Sequence, residues 1–268
     1  MNNNRLGLIV TIIILSVATV CFGGLFLAQT SRIGELENTI STREKEITKL
    51  REEIEQLKEK DAKKNDVEEI KYDEKKIIKA TNDNGNIADH VRGKADSKVV
   101  VIEYADLACP GCALMMPHMS DIHKEYGDRV AFVFRNFPLK GHQNARSAAA
   151  AVESAGQQGY YWEMLEAMFA NRLDWIDGTD AALINTYVNI FKKVAPQGDE
   201  TKFRNSLNDA NIEKKINFDY NIGRNQSKVT ATPTVFVNGE MVDFSAPNVT
   251  FDTVVKDIKD KIEVELNK

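Results

Sequence analysis

The sequence predicts an α/β domain with a helical insertion, which follows an apolar segment and a segment with a heptad pattern. Short β-branched runs recur at residues 99–104, 129–137 and 234–237, and each is typical of a buried strand. Amphipathic helical patterns lie between these runs, and this order favours a sheet with helices on its faces. The first quarter of the 268-residue chain differs sharply in composition from the rest, so it is interpreted separately.

Composition excludes some classes of function. The net charge is −5, and lysines are mixed with acidic residues throughout, which argues against nucleic acid as a main partner because phosphate binding needs a basic face. The chain has 3 cysteines, which are too few for a disulfide-stapled scaffold. One of them, Cys21, lies in the apolar N-terminal segment and is interpreted as a passive membrane cysteine.

Residues 1–30 are predicted to form a single-pass membrane anchor. No charged residue occurs from Leu6 to Thr30. A helix over Leu6–Ala28 would be about 34 Å long, and a hydrocarbon core is about 30 Å thick. A cleaved signal peptide is the alternative, but the run is longer than an ordinary signal-peptide core and no clear Ala-x-Ala site follows it.

Residues 31–64 are predicted to form a coiled-coil stalk. Isoleucine and leucine occupy seven of the eight seam positions of a heptad frame, and charged residues fill most other positions. Isoleucine at a with leucine at d favours a parallel two-stranded coiled coil, so the pattern predicts a homodimer. Arg43 interrupts the seam, and a solvated single helix or flexible spacer is the alternative. Residues 65–82 are polar and poorly patterned, as in a linker.

Residues 83–268 are predicted to form the catalytic domain. After the first strand, an apolar helical run follows the pair of soluble cysteines, and the second strand precedes a helical block at about residues 143–226. A hairpin is predicted around the turn pair Asn238-Gly239, and the final helix is predicted over Phe251–Val264. The large apolar side chains Trp162, Met115, Met116 and Met119 are interpreted as core.

The chemistry is predicted at Cys109 and Cys112, in the run Cys109-Pro110-Gly111-Cys112. Pro110 is suited to the first turn of a helix. A helix N-terminus stabilises an anion, so Cys109 is expected to be the attacking thiolate and Cys112, one turn further in, the buried resolving thiol. Two cysteines at this spacing also form half of many zinc sites. A structural zinc would need two more ligands, from His118, His123 or His142, so no metal is predicted.

The sequence resembles the DsbA-like thiol:disulfide oxidoreductases of the thioredoxin superfamily over about residues 93–262. The resemblance rests on Val101–Asp106 leading into the cysteine motif, and on Phe134–Leu139 followed by His142 and an alanine-rich helix. Gln158–Met164 and Thr230–Gly239 complete it. It implies a thioredoxin-like fold in which the helical block is the family's insertion.

The resemblance also implies roles for further residues. Pro233 would be the cis-proline that faces the redox pair, and Thr232 would offer its backbone to an extended substrate peptide. Glu103 would be a buried acid beneath the cysteines. Glu103 is interpreted as a proton acceptor for Cys112, and a charge at the edge of the strand is the alternative. His142 is interpreted as orienting the insertion. The best-known oxidases carry histidine where this chain has Gly111, so the motif does not fix the redox potential.

The predicted function is a membrane-tethered oxidoreductase that introduces disulfide bonds into exported proteins without a cofactor. The catalytic domain is predicted outside the cytoplasmic membrane, where thiol oxidation is expected. The partners are cysteine-containing exported proteins and, by resemblance, a DsbB-like membrane redox partner for recycling. A dimeric isomerase or reductase is the alternative among enzymes, and a tethered metal-binding or scaffold module is the alternative from another class.

Overall fold

The computed structural model describes residues 39–49, 51, 76–78, 88–244 and 248–268. The chain divides into two compact units, residues 1–70 and 71–268. In the first unit, residues 39–49 and 51 form helix α1, in which the seam residues Ile40 and Ile47 are 56% and 49% exposed. The predicted anchor and the rest of the predicted stalk lie outside the described residues. Within the described ranges, no helix has the length and apolar character needed to cross a membrane.

The second unit alternates strands and helices in the predicted order. Its elements are β1 (Val91–Gly93), β2 (Val100–Ala105), α2 (Pro110–Tyr126), β3 (Ala131–Asn136), α3 (Ala145–Gly156), α4 (Tyr161–Ala170), α5 (Arg172–Trp175), α6 (Asp180–Val194), α7 (Glu200–Ser206), α8 (Ala210–Asn221), a π-helix (Ile222–Gln226), β4 (Thr234–Val237), β5 (Glu240–Met241) and α9 (Phe251–Leu266). The thioredoxin-like α/β fold with a helical insertion between β3 and β4 is therefore confirmed.

The strands form one mixed sheet in the order β1-β3-β2-β4-β5. β2 pairs in parallel with β3, and helix α2 makes the crossover between them. β1 pairs antiparallel with β3, and β4 pairs antiparallel with β2. The C-terminal end of the central strand β2 thus leads directly into the loop that carries the cysteines.

Both faces of the sheet are covered, which explains why β2 and β3 read as continuous apolar runs. Val101 packs on the face covered by α2 and α9, whereas Val100 and Ile102 pack on the opposite face beside the π-helix. Side chains alternate along a strand, so Glu103 lies on the same face as Val101. The methionines Met115, Met116 and Met119 are buried as predicted, and Trp162 is partly buried against the core.

Part of the segment predicted as linker belongs to the domain. Ile77 and Ile78 pack against the sheet, and the backbone of Ile78 exchanges hydrogen bonds with the backbone and side chain of Asp89. These two apolar side chains bury surface that a solvated linker would expose. The short edge strand β1 was not predicted, because three residues give too little pattern to recognise.

A network of buried ion pairs joins β3 to the insertion. Arg135, which is 0% exposed, donates to both carboxylate oxygens of Asp89, at 2.7 and 3.1 Å. Lys215 lies 2.5 Å from Asp219 and 3.5 Å from Asp89. Asp219 in turn accepts from the backbone N–H of Asn136 at 3.1 Å. Burial raises the pKa of Asp89 to about 7, so the network holds its charge only because the partners are close.

Candidate active site

Cys109 lies at the N-cap of α2, where the chain leaves the end of β2. Its backbone is extended (φ −72°, ψ 125°), and Pro110 opens the helix as predicted. Cys109 is 7% exposed and Cys112 is 0% exposed, and both thiols are free. Cys109 is therefore the more exposed residue of the pair, which is the arrangement expected of an attacking thiol and a resolving thiol.

The two thiols have opposite acidities. The pKa of Cys109 falls to about 5, chiefly because the thiol of Cys112 hydrogen-bonds to its sulfur, with help from Thr232 and from the backbone N–H groups of Cys112 and Gly111. Burial raises the pKa of Cys112 well above that of a free thiol, and the neighbouring Cys109 and Glu103 raise it further. At neutral pH the pair therefore holds one thiolate and one thiol.

Glu103 is a buried acid on the face of β2 that carries α2. It is 3% exposed, its Oε1 atom has no hydrogen-bond partner among the described residues, and burial raises its pKa from 4.5 to about 8. Glu103 is thus mostly protonated at neutral pH. When Glu103 is ionised, its negative charge raises the pKa of Cys112, so the two groups interact electrostatically.

The loop before β4 faces the cysteines. The bond between Thr232 and Pro233 is cis, and the sulfur of Cys109 lies 3.5 Å from the carbonyl oxygen of Thr232. A Cβ atom added at Gly111 would lie 3.6 Å from Cδ of Pro233 and 3.7 Å from the sulfur of Cys109. The hydroxyl group of Thr232 is buried and has no partner among the described residues, so it can donate to the thiolate. The structure therefore brings all the predicted site residues together.

The loop before Cys109 is held by a buried carboxylate that was quoted only as part of a motif. Asp106 accepts from the backbone N–H of Ala108 at 2.7 Å and of Leu139 at 2.9 Å. It also pairs with Nδ1 of His142 at 2.7 Å. His142 thus connects the start of the insertion to residues 106–108, the loop before Cys109 that we call the redox loop. This agrees with the interpretation of His142 as an orienting residue.

A second residue at the loop was missed altogether. Arg172, on the short helix α5, donates from Nε to the carbonyl oxygen of Ala108 at 3.0 Å, and from Nη2 to the same atom. Ala108 and Arg172 are 64 positions apart. No local pattern links residues so far apart, so only an alignment of relatives or a structure could have identified the contact.

The histidines considered as zinc ligands lie in different environments. His118 stacks on Phe251, and His123 packs between Phe132 and Trp162. Burial lowers the pKa of His123 to about 3. In the part of the chain that the structure describes, no three residues of the types histidine, cysteine, aspartate and glutamate are placed to hold a metal ion.

Comparisons with known proteins agree with this geometry. A family model described as thioredoxin matches residues 85–260. The solved thioredoxin-like oxidoreductase of Silicibacter pomeroyi is 20% identical, with a TM-score of 0.52 over 69% of this chain and 99% of that one. Alpha-DsbA1 of Wolbachia pipientis is 22% identical, with a TM-score of 0.52 over 71% of this chain and 94% of that one. At these identities the two structures show a shared fold.

Part of this chain also matches a short region of a much longer curated relative. The Na(+)/H(+) antiporter NhaA 1 of Mycolicibacterium gilvum is 31% identical over 157 residues, which are 57% of this chain and 24% of that protein. The match thus spans about a quarter of the relative's length.

Proposed function

The chain belongs to the thioredoxin family, and on that premise we propose that it is a protein disulfide oxidoreductase that introduces disulfide bonds into exported proteins. The observation that carries this proposal is the pairing of Cys109, a thiol of pKa about 5 at the N-cap of α2, with the fully buried thiol of Cys112. The DsbA-like fold and the peptide backbone at Thr232 beside the sulfur support it.

The geometry supports a two-step exchange. In the oxidised enzyme, a substrate thiolate attacks the sulfur of Cys109, which breaks its bond to Cys112 and forms a mixed disulfide. The departing Cys112 thiolate takes a proton from Glu103, whose raised pKa of about 8 keeps most of this carboxyl group protonated at pH 7. A second substrate thiolate then attacks the substrate sulfur of the mixed disulfide, and Cys109 leaves as a thiolate. The substrate loses two electrons and the enzyme gains them as a dithiol.

The acidity of Cys109 favours this direction. At pH 7 a thiol with a pKa of about 5 is ionised, whereas one with the ordinary value of 9 is not. Because pH 7 lies about two units above this pKa, ionisation of Cys109 stabilises the dithiol form of the enzyme by about 3 kcal/mol. This makes the reduction potential of the pair roughly 60 mV more oxidising. The proposed enzyme therefore transfers its disulfide to substrate thiols readily.

The remaining parts of the proposal concern placement and recycling. We propose that residues 1–30 anchor the chain as a single-pass segment, and that residues 31–64 present the catalytic domain outside the membrane. Helix α1 supports the proposal of a coiled-coil stalk, because Ile40 and Ile47 are exposed and lie at predicted seam positions. A membrane redox partner of the DsbB-like type would remove the two electrons from the dithiol.

Trapping experiments test the proposal. Cys109→Ser should abolish exchange. Cys112→Ala should retain attack by the Cys109 thiolate on a substrate disulfide and should accumulate mixed disulfides, because the resolving thiol is gone. Mass spectrometry of the trapped complexes identifies the bonded cysteine. A substrate bonded at Cys112 rather than at Cys109 would reverse the assigned roles.

An equilibrium of the domain with glutathione distinguishes the alternatives. An oxidase should equilibrate at an oxidising potential, and titration of the thiolate absorbance should show a pKa near 5 for Cys109. A thiol with an ordinary pKa would favour the reductase or the scaffold module. A metal-binding module would resist oxidation while it is loaded with metal.

A further inference from the structure

We propose that Arg172 is a positioning residue for Cys109, so that the helical insertion is part of the redox site. The inference rests on the proposed function and deepens it. Arg172 directs two nitrogens of its guanidinium group at one carbonyl oxygen, that of Ala108, which immediately precedes the attacking cysteine. Ala108 is 1% exposed, so its carbonyl group is shielded from solvent where it accepts from Arg172.

The peptide unit between Ala108 and Cys109 is held at both ends. Its oxygen accepts from Arg172, and its N–H, which belongs to Cys109, donates to the carbonyl oxygen of Asp106 at 3.0 Å. On the other side of Cys109 the chain is fixed by α2. With both flanking units fixed, the sulfur is confined to the position where Thr232 and the first N–H groups of the helix lower its pKa.

Arg172 is itself firmly placed by the insertion. Its helix α5 ends at Trp175, which is 0% exposed and donates from Nε1 to the carbonyl oxygen of Met168 at 2.9 Å. The side chain of Asn144 donates to the carbonyl oxygens of Trp175, Ile176 and Gly178 at 3.2, 3.0 and 2.9 Å.

These contacts close a ring around the redox loop. Asn144 lies two residues after His142, whose ring pairs with Asp106. Asp106 accepts from the backbone N–H of Ala108, whose carbonyl oxygen accepts from Arg172. The loop is therefore enclosed between the end of the sheet and the insertion.

The test compares Arg172→Met with Arg146→Met in the reduced, folded domain. Arg146 also lies on the insertion, but its side chain is 45% exposed and contacts Glu213, away from the redox loop. Arg172→Met should raise the pKa of Cys109 by about one unit, which corresponds to a tenfold shift in the equilibrium with glutathione toward a less oxidising enzyme. Arg146→Met should leave both quantities unchanged.

Arg172→Lys keeps the charge but loses the paired donors, so it should fold and give an intermediate pKa. It also keeps the inference testable if Arg172→Met does not fold. The inference is overturned if the folded variant at Arg172 matches the wild type in both pKa and glutathione equilibrium. If the wild type itself has an ordinary thiol pKa and no exchange with glutathione, the proposed function fails instead.

Discussion

Glu103→Gln should make the protein more stable and less active, because the wild-type side chain is a buried acid with a raised pKa. Burial moves the pKa of Glu103 from 4.5 to about 8. Its contribution to stability is fully present below pH 4.5 and is lost as the pH rises toward 8, since the unfolded chain gives up the proton first. The slope is roughly 1.4 kcal/mol per pH unit between the two pKa values and smaller close to each of them. The wild type should therefore lose about 3.5 kcal/mol relative to Glu103→Gln between pH 5 and pH 8.

The assay is urea denaturation of the reduced wild type and of Glu103→Gln at several pH values. The two stabilities should differ little near pH 5 and separate steadily above it. Glutamine cannot give a proton to Cys112, so the step in which that thiol leaves should slow by on the order of 10²-fold. Glu163→Gln, at an exposed position, is the matched control and should change neither property.

Parallel stability curves for the wild type and Glu103→Gln would refute the raised pKa. A normal rate for release of Cys112, with the curves separated as expected, would instead remove Glu103 from the proton transfer and leave it as a buried acid only.

Two further predictions concern the ion network and the stalk. Asp89→Asn should lower the free energy of unfolding by about 3–5 kcal/mol in urea titrations, because it leaves the buried guanidinium group of Arg135 without its carboxylate. Asp121, whose side chain is 74% exposed, provides the control, and Asp121→Asn should change the free energy of unfolding little. An equal, small loss in both variants would contradict this account. A chain that begins near residue 31 should sediment as a dimer, and one that begins near residue 71, at the start of the second unit, should sediment as a monomer. If the longer chain stays monomeric and Arg43→Leu does not induce pairing, the segment is a spacer and the dimeric isomerase loses its main support.

Some of the redox site could be predicted from the sequence because the patterns that indicate it span only a few neighbouring residues. The order of strands and helices follows from periodicities a few residues long, and the helix start at Cys109 follows from the proline after it. The resemblance added Glu103, Thr232 and Pro233, and the structure places all three beside the cysteines. The roles of these residues in catalysis stay predictions.

The sequence alone therefore determined the class of fold and predicted the reacting pair, because the patterns that indicate both lie in neighbouring residues. Only the tertiary structure decided which distant side chains hold that pair. Arg172 reaches Ala108 across 64 positions, and Asp89 meets Arg135 across 46. Such contacts depend on how the insertion and the sheet pack together, and periodicity contains no information about that packing because it records only which face of each element is apolar.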